Sequence, residues 1–146
     1  MTDLDVILYQ ALTADADLME AVGGRIQSTC FEVGPDEPDN TPLPYIIVTD
    51  DGFQNQQTTK DYLWESIEDR VQATIEIGAA SKNEVQTLLK ACRRAVENQI
   101  SHLAEQGEAI PQLEGLRSDG IAWDWMKPCY YTHLIYECTI NTEDNE

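Results

Sequence analysis

The chain has 146 residues, 42% of them hydrophobic, and its 27 acidic against 9 basic side chains leave a formal charge of −18. That length suits a single domain, 1–146, with an ordinary core and no need of covalent staples, and the apolar content excludes a disordered polyanion. The charge disfavours a protein that grips a phosphate backbone, which takes clustered Lys and Arg; the only adjacent basic pair is Arg93-Arg94.

Leu4, Ile7, Leu8, Ala11 and Leu12 recur at helical spacing, with Asp3 and Asp5 in the positive first turn. Thr13-Ala14-Asp15 offers a second start, for a short helix carrying Leu18, Met19 and Val22, and Gly23-Gly24 stops it. Arg25-Ile26 leads away as a short strand. Residues 27–44 hold prolines 35, 38, 42 and 44 and the acids Asp36, Glu37 and Asp39, so the segment reads as an exposed loop, a candidate contact arm or lumen lining. Tyr45 to Thr49 is a β-branched strand of mid-sheet type. Asp50-Asp51-Gly52 is turn chemistry, and 54–60 is uniformly polar, so the spacing predicts a hairpin of 45–53 with 62–78 and a polar tip.

Val71, Ala73, Ile75 and Ile77 alternate with Gln72, Thr74 and Glu76, a strand with one apolar face, and Gly78 ends it. Ser81-Lys82-Asn83-Glu84 is a capping box. Val85, Leu88, Leu89, Cys92, Ala95, Val96, Ile100 and Leu103 then predict a helix over 82–103. Residues 104–118, with Gly107, Pro111 and Gly115, read as a loop with a short helical turn, and Asp119-Gly120 as a further turn. Ile121, Trp123 and Trp125 alternate in a strand, Pro128 punctuates, and Leu134, Tyr136, Cys138 and Ile140 form a last strand antiparallel to it. The tail 142–146 is acidic and frayed. The fold class is therefore α+β: a mainly antiparallel sheet of about four strands, with the long central helix and the N-terminal helix packed on one face.

No apolar run approaches the roughly 20 residues that cross a bilayer, and Met1-Thr2-Asp3-Leu4-Asp5 has no basic leader, so the expectation is a chain that stays where it is made, without a membrane partner. The cysteines at 30, 92, 129 and 138 form no C-x-x-C pair and read as reduced structural thiols. Neither histidine, His102 or His133, sits in a motif that couples it to a nucleophile. Cys129-x-x-x-His133 has a spacing that a metal can use but lacks defined third and fourth ligands. No enzyme activity, metal or cofactor is assigned. The more informative residues are aromatic. Trp64, Trp123 and Trp125 lie in strand regions, and with Glu76 on the polar strand face they are candidates for a subunit interface, where Trp and Tyr are enriched.

Leu8-Tyr9-Gln10-Ala11-Leu12-Thr13-Ala14-Asp15-Ala16-Asp17-Leu18, closing with Val22-Gly23-Gly24-Arg25-Ile26, resembles the opening of a family of tailed-phage tail-completion proteins, the tail terminators and tail-to-head joining proteins. Leu43 to Val48, Arg70 to Ile75, the helix from Ser81 to Ile100 and the strand around Tyr131 to Tyr136 are similar to its later elements in the same order. The resemblance implies an α+β subunit of a ring-shaped homo-oligomer, commonly a hexamer, that caps the tail tube and joins it to the head connector. Its partners would be copies of itself, the tube protein and the connector protein, with DNA passing a lumen unbound. It would assemble in the bacterial host cytoplasm and reside at the virion tail-head junction, with no enzymatic activity. The arm 27–44 and the insertion 104–118 depart from the family pattern. The composition alone also fits an acidic binding module, a DNA mimic or a regulator that sequesters a basic partner.

Overall fold

A computed structural model describes residues 4–28, 42–57, 67–107 and 113–141. In chain order they form α1 (Leu4–Ala14), α2 (Ala16–Ala21), β1 (Ile26–Ser28), β2 (Tyr45–Gln57), β3 (Ile67–Ala79), α3 (Lys82–Glu105), β4 (Leu113–Asp124) and β5 (Cys129–Asn141).

Helix ends are set by local hydrogen bonds. The Asp15 carboxylate accepts from Leu18 N at 3.0 Å and starts α2. At the other end Gly24 N donates to Met19 O at 2.8 Å and Gly23 N to Glu20 O at 3.1 Å. These are the paired bonds of a Schellman stop, which needs the positive φ of Gly23, 60°. Ser81 Oγ accepts from Glu84 N at 3.2 Å and opens α3. Arg25, just past the glycine stop, donates from Nε to Pro44 O at 2.9 Å and from Nη2 to Leu43 O at 3.1 Å, which ties the entry of β1 to the entry of β2.

The sheet order is β1-β2-β3-β5-β4. The β1–β2 pair is parallel and the rest antiparallel, so the sheet has five strands rather than four. The fifth is the short strand expected at Arg25-Ile26, which extends over Gln27 and Ser28 of the expected loop, with Ile26 opposite Ile46 and Ser28 opposite Val48; residues 29–41 of that loop lie outside the described residues. Ile46, Val48, Ala73, Ile75, Ile77, Leu134, Tyr136 and Cys138 point to one face and pack with Leu4, Leu8, Leu12, Val85, Leu88, Cys92 and Val96 from the helices. Helix packing on one face thus follows the expected periodicities.

Three turn or stop signals sit inside strands. Asp50-Asp51-Gly52 is a β-bulge of β2, where the register shifts between Asp50 and Phe53 and Gly52 has φ 83°. Gly52 N donates to Asp50 Oδ1 at 2.8 Å, and Thr74 Oγ1 donates to Asp51 Oδ2. The strand continues, so 54–57 of the expected polar tip pair with Arg70 back to Ile67, while 58–66 lie outside the described residues. Asp119-Gly120 falls at the second of two register shifts in β4, Ser118/Ile121, with Gly120 at φ 84°. As a result 113–118, expected as loop, is strand. Asx and Gly residues signal left-handed backbone and side-chain-to-backbone bonds, and a bulge uses both as readily as a turn does. Gly78 likewise lies within β3, opposite Tyr45, and its role is steric: a Cβ there would stand 2.2 Å from Tyr45 Cε1.

Candidate functional site

The sheet face away from the helices carries Tyr45 and Ile47 of β2, Thr74, Glu76 and Gly78 of β3, and Tyr131, His133 and Ile135 of β5. Register brings four of its neighbours into one polar chain. Glu76 stands opposite His133 in the β3–β5 ladder. Tyr45 Oη donates to Glu76 Oε2 at 3.0 Å, His133 Nε2 meets Glu76 Oε1 at 3.0 Å, and His133 Nδ1 meets Asp119 Oδ2 at 2.7 Å. The other Asp119 oxygen accepts from His133 N at 3.1 Å. Lys127 Nζ lies 4.4 Å from the centre of the Tyr45 ring.

A neutral imidazole has one N–H and can donate to one of these carboxylates; the imidazolium donates to both. Burial pulls His133 below its ordinary value of 6.5, but the hydrogen bonds and charges of Asp119 and Glu76 outweigh it, and the net shift is upward. For Asp119 burial acts upward, and the bonds from His133 overcome it to hold the carboxyl below its ordinary value. Burial, followed by the Glu76 carboxylate, pushes the Tyr45 phenol well above its usual range. Burial chiefly raises the nearby Cys129 thiol as well, which disfavours its thiolate form. The chain stitches β2, β3, β5 and the bulge of β4 together across the open face. Both ring nitrogens of His133 are thereby engaged, and the described residues contain no cluster of three or more His, Cys, Asp or Glu side chains able to hold a metal. No described helix is long and apolar enough to cross a membrane.

The other feature is the β4–β5 turn. Trp123, the residue opposite Tyr130, meets its ring edge-to-face at 4.7 Å and meets Trp125 in the same way at 6.0 Å. Trp125 and Met126 lie past the end of β4, 85% and 95% exposed. Asp124 Oδ1 accepts from Met126 N at 2.9 Å and fixes the turn. The two tryptophans expected on one strand face are therefore divided. Trp123 is strand-borne and on the Tyr130 side of the sheet, which is the helix side, and its Nε1 is buried without a partner. Trp125 caps the turn. Glu76 is held by Tyr45 and His133. Trp64, Asp36, Glu37 and Asp39 lie outside the described residues. The His133 chain was not legible from spacing, since nothing links 45, 76, 119 and 133 before the strand register is known.

No protein of curated function matches the sequence. Among solved structures, a chain of "Virion of native gene transfer agent (GTA) particle" resembles the fold with a TM-score of 0.46 and 15% identity over 95% of each chain. The family model described as tail completion protein gp17 matches residues 6–113. That span runs from α1 to the first residue of β4, most of the molecule, and the chain belongs to this tail completion family of virion assembly proteins.

Proposed function

We propose that the chain is the subunit of a homo-oligomeric ring that closes the phage tail tube and joins it to the head connector. The family match over residues 6–113 carries this reading. Two further observations support it. The helices cover one sheet face, and the polar chain on the other is locked by internal hydrogen bonds, as suits a rigid building block. The charge of −18 suits a lumen that repels DNA phosphate as the genome passes. The ring forms in the host cytoplasm and stays at the tail-head junction, with the tube protein below and the connector above.

The test is a phage or prophage lacking this gene. Overlong or uncapped tubes beside unjoined, DNA-filled heads are expected, and restoration by the purified protein completes the case. Tails of normal length already joined to heads would overturn it. A persistent monomer that displaces DNA from a basic protein would instead favour an acidic binding module.

A further inference from the structure

We propose that copies of this chain associate head to tail by inserting the Trp125-Met126 knob of one copy into the cleft between α1 and α3 of the next. This rests on the reading that the chain assembles with itself. The knob is built to be covered. Trp125 and Met126 are among the few large apolar side chains exposed on the described surface, and a Trp next to a second buried aromatic is the usual anchor of a contact. Trp123 Nε1, buried behind it without an acceptor, is a donor that a neighbour can satisfy at small displacement of Trp125.

The cleft has the complementary chemistry. Ala11, Ala14 and Ala95 form an apolar lining of small side chains, Asp15, Asn98 and Gln99 offer acceptors, and the space is about 360 Å³. A cavity of about 150 Å³ holds a benzene ring, so an indole fits with room to spare. Charge agrees too: Lys127, one of 9 basic residues in the chain, follows the knob, and the Asp15 carboxylate lies on the cleft.

Placement excludes an occupant from the same molecule. The β4–β5 turn stands at the end of the sheet where Ala79 pairs with Tyr130 and where α3 starts three residues later. From Lys82 to Gln99 the helix runs about 25 Å at roughly 1.5 Å per residue. It runs away from the turn: Cys92, ten positions along it, packs in the same core cluster as Tyr136, six residues along β5 from Tyr130. Knob and cleft therefore occupy opposite ends of one molecule and cannot meet within it. Two different patches on one subunit make a heterologous contact, the type that closes into a ring when the rotation allows.

The full chain carrying p-benzoylphenylalanine in place of Trp125 is irradiated at high protein concentration and the adducts are mapped. Sedimentation velocity compares wild type with Trp125→Ala and Asn98→Arg, both at exposed positions. The expected result is an intermolecular adduct on the peptides of 11–15 or 95–99, with at least tenfold weaker self-association in each variant and unchanged circular dichroism. Adducts elsewhere, variants that associate like wild type, or a wild type that never associates and yields no adduct would each overturn the contact. The ring reading fails separately, when tube length in assembly reactions is indifferent to the wild-type protein.

Discussion

Gly78→Ala isolates the packing that supports the open face of the sheet. A Cβ at this position would stand 2.2 Å from Cε1, 2.4 Å from Cζ and 2.7 Å from Oη of Tyr45. Tyr45 is buried, with Lys127 over its ring, so the ring can yield only by leaving its 3.0 Å hydrogen bond to Glu76. Overpacking of this kind costs about 1–3 kcal/mol and a hydrogen bond to a charged acceptor about 1.5–3 kcal/mol. One displacement produces both losses, so they overlap, and a destabilisation of about 2–4 kcal/mol is expected, a large share of a typical total of about 5–15 kcal/mol. Urea unfolding followed by tryptophan fluorescence reads it as a lower midpoint at constant slope. In a Tyr45→Ala background the clash is gone and Gly78→Ala should cost no more than about 0.5 kcal/mol, since Ala also restricts the unfolded chain. Equal cost in both backgrounds, or none in the wild type, would refute the steric role.

The remaining expectations concern protons and the core. His133 has a folded-state pKa above its ordinary 6.5, so its contribution is fully present below pH 6.5 and is lost as pH rises through the folded value. Asp119 is held below its ordinary 3.8, so its contribution is present above pH 3.8 and is lost as pH falls through the lower folded value. The difference in stability between wild type and His133→Gln should therefore be greatest between those limits and shrink toward alkaline pH; a difference that grows above pH 6.5 would contradict the double-donor imidazolium. Burial first, and then Asp15, push the Cys92 thiol up to about 12, so maleimide should label it in the folded protein only at the rate of opening, checked by peptide mapping against denatured protein. Ile75 is fully buried between Val48 and Leu134, and Ile75→Asp, an unpaired carboxylate in the core, should abolish the cooperative transition; native-like circular dichroism would show that β3 is misplaced.

The sequence was legible where structure is local. The stripe of α3, the Ser81 cap, the helix start within Thr13-Ala14-Asp15, which falls on Asp15, and the Gly23-Gly24 stop each depend on residues close to one another in sequence, and each stands where expected. The misreadings share a cause, which is that their partners are distant. Asp50-Asp51-Gly52 and Asp119-Gly120 have turn chemistry, and only the strands paired alongside make them bulges. Gly78 looks like a stop until Tyr45, 33 positions earlier, is seen to need its missing side chain. Glu76 looks like a plain polar-face residue, and the register with His133 turns it into the joint of a four-residue chain. Trp125 alternates correctly with Trp123, but β4 ends between them. The helix-covered half of the fold is thus written in periodicity, whereas the open face and its aromatic turn emerge only from pairing.

That division bears on how so acidic a chain would associate with itself in the proposed ring. At −18 per copy, neighbouring subunits repel, but only over the Debye length, about 8 Å at physiological ionic strength. A contact made by Trp125 and Met126 acts at van der Waals range, where burial of apolar surface gains roughly 25 cal/mol per Å² and does not weaken with salt. A contact made by ion pairs would weaken as salt rises, whereas apolar knobs between like-charged copies bind more tightly as the repulsion is screened. The turn is the place for the proposed contact. Few other described positions expose large apolar side chains, and the polar chain from Tyr45 to Asp119 has already used its hydrogen-bonding groups within the subunit. In the proposed ring the acidity would set the long-range behaviour toward DNA, and the short aromatic turn would set the neighbour.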